Sequence, residues 1–230
     1  MRSILAVLLV LVATAMVPLA VADPSQGDEE LTNAQLVEQV KATYSGAESL
    51  RADFVQVVTT AGFGQGEKQR GRVWLMRPKK MRWEFKAPNP KSFVTDGETM
   101  WIWSPQENGG KGQVIVYKNM ASAGGMSDLL TDLSKLDEYF AVERVSGDPH
   151  GKRLHVLSAT PRAEDGTVKN LKIWVTKRNL HLERVVLTDK LGNVTDLSFS
   201  QVKLNPVNVK NTEFSFTVPK GAEVIESAGM

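Results

Sequence analysis

GRVWLMRPKKMRWEFKAPNPKSFVTDGETMWIWS, residues 71–104, is the stretch whose reading decides the fold class. Within it Lys80, Arg82, Glu84 and Lys86 alternate with Met81, Trp83 and Phe85. A period of two, charged on one side and large and apolar on the other, is a strand in a half-wetted sheet. Residues 71–77, 91–95 and 99–104 have the same grain. Pro78-Lys79 and Asp96-Gly97 mark tight turns between them, the second flanked by apolar runs as a hairpin requires. Two apolar rows compete for the interior, Trp74 with Met76 and Met81 with Trp83 and Phe85; periodicity alone does not choose between them. Nor does it say whether the inner row faces a filled core or a space left open for a guest.

Outward from this stretch the rhythm continues. Upstream, Leu50, Ala52, Phe54 and Val58 share one face of a strand that ends in a Gly-rich loop, residues 60–69. The loop resembles a phosphate-binding run, but no Gly-Lys-Ser/Thr and no helix follow it. Before the strand, Thr32-Asn33-Ala34-Gln35 fits a capping box. Leu36, Val37, Val40 and Tyr44 then fall at helical spacing, and Gly46 is the stop, which predicts one amphipathic helix of about three turns. Downstream, residues 113–118, 140–145, 153–160, 168–175, 180–188 and 194–204 read as further strands, and 213–217 (EFSFT) with 218–221 closes the fold. Ser127 caps a short helix through Asp128, Leu129, Leu130 and Leu133, with Leu136 on the same side.

No helix is long enough for parallel crossovers, so the strands are read as an antiparallel meander. About ten to eleven strands in one domain must curl or close to manage their edges. The expectation is a mainly β fold with short α elements. It is an incomplete, half-open antiparallel β-barrel, with a lid of two to three helices over an apolar cavity.

The first residues stand apart from this fold. Met1-Arg2, the uncharged apolar run 4–17 and Ala20-Val21-Ala22 form the pattern of a signal peptide, 1–22, cleaved before Asp23. A transmembrane anchor is the other reading of such a run, but this one is short and acidic residues follow at once. Residues 23–230 are then a single exported domain. A formal net charge of +2 argues against a nucleic-acid binder. Zero Cys excludes a disulfide framework and a thiolate metal site.

Catalytic constellations are missing too. His150, His155 and His181 show no metal-ligand spacing, and no Gly-x-Ser-x-Gly nucleophile motif is present. The reading is therefore no enzyme, no metal and no cofactor. Arg77, Lys79, Lys80 and Arg82 make a basic cluster, a wet strand–turn–strand surface or a contact for lipid-headgroup phosphates or an acidic partner. Arg77 differs from its neighbours, because by parity it shares a row with Val73 and Leu75. An arginine on an apolar row either snorkels at the strand end or bonds something buried.

At residues 50–56 (LRADFVQ), 71–83 (GRVWLMRPKKMRW), 95–103 (TDGETMWIW) and 214–224 (FSFTVPKGAEV) the sequence resembles the periplasmic outer-membrane lipoprotein carrier family, LolA. The resemblance implies a lidded half-barrel whose apolar cavity holds the acyl chains of lipoproteins. It implies as partners acylated lipoproteins, an inner-membrane ABC transporter that releases them and an outer-membrane receptor that takes them, with the carrier a monomer in the periplasm. Arg77 falls where the family has an arginine that holds the lid to the barrel by hydrogen bonds to lid backbone. Met81 falls where members often have a large apolar residue implicated in cargo transfer. The candidate cavity residues are Phe54, Trp74, Met81, Trp83, Phe85, Trp101, Leu129 and Leu133, with Arg77 as latch. A carrier of another amphiphile, a phospholipid or glycolipid, on the same fold is the alternative. A sensor of mislocalised lipoprotein would need an additional domain.

Overall fold

The computed structural model describes residues 31–105, 111–118, 133–146, 153–163 and 166–227. The chain from Thr32 onward forms one compact unit. It opens with helix α1 (Asn33–Ser45), started by the expected capping box: Gln35 N–H donates to the Thr32 hydroxyl, and Thr32 N–H to the Gln35 side chain. Leu36, Val37, Val40 and Tyr44 are its buried stripe. Just past its end, the Asn205 side chain accepts from Glu48 N–H and Ser49 N–H and donates to the Gly46 carbonyl, which fixes where the helix hands over to the sheet.

The strands follow as β1 (Ser49–Thr60), β2 (Gly64–Gln65), β3 (Gln69–Met76), β4 (Lys80–Phe85), β5 (Lys91–Thr95), β6 (Met100–Ser104) and β7 (Gln113–Tyr117). A 3-10 turn (Leu133–Lys135) leads into a single-turn helix, α2 (Leu136–Tyr139). Then come β8 (Phe140–Arg144), β9 (Leu154–Pro161), β10 (Val168–Thr176), β11 (Leu182–Asp189), β12 (Val194–Leu204), a second 3-10 turn (Asn211–Phe214) and β13 (Glu223–Ser227). Among the described residues no helix is long and apolar enough to cross a membrane.

All strands belong to one sheet in the order β13-β7-β6-β5-β4-β3-β1-β12-β11-β10-β9-β8, with β2 paired beside β1. β8 and β13 are its two edges, so the sheet stays open, as a half-barrel should. Pairing is antiparallel with one exception: β13 runs parallel to β7. Residues 213–217, which close the fold, form no strand. Phe214 and Phe216 alternate as strand residues do, but they serve as a cover. Phe214 is fully buried and Phe216 stacks on Trp101 with centroids 6.1 Å apart. Arg82 donates to the Glu213 carbonyl and Lys80 to the Asn211 side chain. This crossing of the outer face returns the chain in the same direction as β7. With β2 and β13 added, the described strands number thirteen.

Register fixes the faces. Leu50, Ala52 and Phe54 on β1 pair with Leu75, Val73 and Gly71 on β3, and these with Met81, Trp83 and Phe85 on β4. Successive strands carry the same face on through Thr95, Phe93 and Lys91 and, across β1, to Phe199. All of the β1, β3 and β4 side chains in this set are buried, apart from the glycine that has none. This inner face is the core.

Candidate functional site

The centre of the inner face is an aromatic cluster built by register. Phe54 packs edge-on against Trp83 (4.7 Å) and Phe85 (4.9 Å), and Phe199 lies 6.5 Å from Trp83. Phe93 meets Phe85 edge-on at 5.7 Å. Lys91, on the same row, holds its ammonium 4.6 Å above the Phe85 ring. Burial pushes the Lys91 ammonium below the ordinary lysine range.

Beside the cluster a cavity of about 10 Å³ is lined by Leu50, Ala52, Val73, Leu75, Trp83, Leu182, Phe199 and Val202. A second, of about 20 Å³, shares Leu50 and Leu75 and is closed by Tyr44, Arg77 and Leu133. Each has room for about one water. An acyl chain cannot enter either without movement of what covers them.

The cover is held by a few polar contacts. Arg77 donates to the carbonyls of Tyr44 (2.9 Å) and Ser45 (3.2 Å), the last residues of α1, and to the Ser134 hydroxyl (3.2 Å). Helix ends leave carbonyls unpaired and carry partial negative charge, and α1 has no basic residue in its own last turn. Arg77 supplies that charge from the sheet. The Lys41 ammonium sits 2.8 Å from the Asp137 carboxylate, tying α1 to α2. At the other end of α1, Asn33 donates to the Val142 carbonyl and accepts from Arg144 N–H at the β8 edge. The Tyr44 hydroxyl accepts from the buried Leu182 N–H at 2.7 Å, and burial pushes its pKa up to about 12.

Two outcomes can be measured here. Tyr44→Phe leaves the Leu182 amide buried without an acceptor, which costs about 1–3 kcal/mol. It is expected to lower the urea midpoint at unchanged slope. The Lys41 ammonium holds the Asp137 carboxyl below its ordinary value of 3.8, burial opposing it more weakly. A depressed carboxylate stabilises the fold above pH 3.8, and its contribution is lost as pH falls through the native value. The stability gap between wild type and Asp137→Asn should therefore be present at neutral pH and close in acid, read from denaturation curves at stepped pH.

The sequence-predicted residues divide. Phe54, Met81, Trp83 and Phe85 come together on the inner face, and Leu133 closes on it from the 3-10 turn. Trp74 and Trp101 stand on the opposite face: Trp74 pairs across Arg51 and Arg82, with the Arg72 guanidinium 5.8 Å from its ring, and Trp101 lies under Phe216. They are the alternate row of a period-two pattern and do not reach the cavity. Leu129 lies outside the described residues. Tyr44, Phe199 and Leu182 were missed, although each ends or alternates in an apolar pattern that already pointed inward. Ser134 carries no sequence signal. His155 pairs with Val175, whose other partner, Leu182, follows His181 in the chain, but no group of three metal-ligating side chains occurs among the described residues.

Residues 45–217 match the family model of the outer membrane lipoprotein carrier protein LolA. The chain belongs to the LolA family. An outer-membrane lipoprotein carrier protein of Methylobacillus flagellatus is 32% identical over 191 residues, covering 82% of this chain and 88% of that protein. One from Chromobacterium violaceum is 33% identical over 196 residues, covering 84% and 88%. Among solved structures, an uncharacterised conserved protein of Thermus thermophilus shares the fold at a TM-score of 0.50 and 15% identity, over 84% of this chain and 98% of that one. That likeness speaks to fold alone. Within the LolA family frame, the inner cluster is the interior of the half-barrel and Arg77 bridges sheet and covering helix.

Proposed function

We propose that this LolA-family protein is a periplasmic carrier that takes acylated lipoproteins from an inner-membrane ABC transporter and delivers them to an outer-membrane receptor. On this reading it is exported by cleavage of residues 1–22, works as a monomeric single domain of 23–230, and performs no catalysis. The observation that carries the reading is the apolar interior of an open sheet, covered by α1 and the 3-10 turn that Arg77 and the Lys41–Asp137 pair hold in place. Phe54, Met81, Trp83, Phe85 and Leu133 are the walls against which acyl chains would lie.

The energetics suit a carrier. Burying a methylene is worth about 0.8 kcal/mol, so a dozen gain roughly 10 kcal/mol gross. Opening the cover costs the Arg77 and Lys41 contacts and the packing of Tyr44 and Leu133. Binding is thereby held to a level from which a receptor can recover the cargo. The test is co-purification from periplasm with mass spectrometry of whatever is bound. Triacylated lipoprotein is the expected finding. Phospholipid or glycolipid in its place would overturn the cargo assignment, and no amphiphile at all would overturn the carrier reading.

A further inference from the structure

Trp83, one of the residues lining the inner cavity, carries a buried polar atom that nothing satisfies. Trp83 is 7% exposed, its ring wedged between Phe54 and Phe199, and its indole Nε1 is fully buried with no hydrogen-bond acceptor. The side chains lining the cavity with it are Leu50, Ala52, Val73, Leu75, Leu182, Phe199 and Val202, none of which accepts a hydrogen bond. An indole N–H is a donor only, and a buried donor without a partner is costly. Phenylalanine would fill most of the same space without that cost, as it does at Phe85 and Phe93 on the same face. A tryptophan here makes physical sense when the acceptor arrives with the guest.

The surroundings restrict what that acceptor is. No cation lines the cavity, so an ionised phosphate or carboxylate would be buried unpaired. The basic groups on this face are engaged elsewhere, Lys91 with the Phe85 and Phe93 rings and Arg77 with the Tyr44 and Ser45 carbonyls and the Ser134 hydroxyl. An amide would bring an N–H of its own, which this wall cannot satisfy. An ester brings a carbonyl acceptor and no donor. We infer that the Trp83 indole N–H donates to the ester carbonyl of an acyl chain seated in the cavity, so that this site recognises the acyl linkage as well as the hydrocarbon. The inference rests on the acyl-carrier reading above and sharpens it.

The test uses two synthetic lipopeptides, a glyceryl-cysteine peptide with two ester-linked palmitoyl chains and the same peptide with two ether-linked hexadecyl chains. Wild type is expected to bind the ester form about three- to tenfold more tightly, the range of one ordinary hydrogen bond. In Trp83→Phe the ester-to-ether ratio should fall to about one, whatever the overall affinity. A second readout needs no variant: one indole N–H resonance of wild type should move downfield with the ester peptide and not with the ether peptide. Equal affinity for both peptides in wild type, a ratio that survives in Trp83→Phe, or an indole spectrum indifferent to the linkage each overturns the inference while leaving the carrier reading intact. Binding of neither peptide removes the carrier reading itself.

Discussion

Arg77→Leu is expected to load cargo and then fail to release it. The three hydrogen bonds from the guanidinium to Tyr44, Ser45 and Ser134 exist only while the cover is closed on the sheet. Bonds to a charged donor are worth about 1.5–3 kcal/mol each when fully protected, and this side chain is only half-buried. A joint value of about 3 kcal/mol, roughly a hundredfold in the open-to-closed ratio, is a reasonable scale. Leucine keeps the apolar row of Val73 and Leu75, so the strand itself should survive. Because apparent affinity is the intrinsic affinity weighted by the binding-competent fraction, a cover that no longer closes raises affinity for the acyl chains. The loaded form should then accumulate, and transfer to acceptor membranes should slow by tenfold or more. Arg77→Lys should fall between, since an ammonium keeps the charge but lacks the planar fork that reaches three acceptors. Transfer at the wild-type rate in Arg77→Leu would show that closure is driven by apolar packing and not by this residue.

Arg77 stood out because it is an arginine in an otherwise apolar row, and the period of two is strict enough for one exception to be noticed; its role as a latch is what the family resemblance implies. The same strictness explains the success at β4, at the Asp96-Gly97 hairpin and at the capping box of α1, where the signal is local and each residue type has one physical use. It failed where two faces of one strand were both buried. Val94 and Val114 lie on the outer face yet are fully buried, as Val116 nearly is, and Phe216 stacks on Trp101, the register partner of Val94 and Val116. Trp101 therefore looked like a wall of the cavity when it is a seat for Phe216. Residues 213–217 show the complementary case: a segment that lies flat across a sheet also alternates, and periodicity cannot distinguish pairing at an edge from packing on a face. Trp74 is a third case, a large apolar ring on the wet face that is sheltered by Arg72 and not by core. Long-range cover is invisible to a local pattern.

The position on which the inner cluster depends most is one with no side chain. Gly71 pairs with Phe54 on one side and with Phe85 on the other. A Cβ placed there would overlap the Glu84 carbonyl oxygen and come within 2.6 Å of two atoms of the Phe54 ring. The missing methyl is what lets Phe54 lie across β3 and touch both Trp83 and Phe85. Phe54→Ala is expected to cost about 3–5 kcal/mol, from lost transfer energy and the cavity left behind. Against a typical total stability of about 5–15 kcal/mol, that is a large share. Gly71→Ala should cost about 3 kcal/mol or more, at the upper end for overpacking, because one obstacle is backbone and cannot rotate away. The double variant separates the two obstacles. Were the ring alone in the way, removing it would make room for the methyl, and the double variant would match Phe54→Ala. Since the carbonyl stays, the double variant should be less stable than Phe54→Ala by about 1 kcal/mol or more, measured by urea denaturation of all four proteins. Equality of the two would mean that β4 shifts away from β3 to admit the methyl, and that the sheet beneath the cavity is softer than its register suggests.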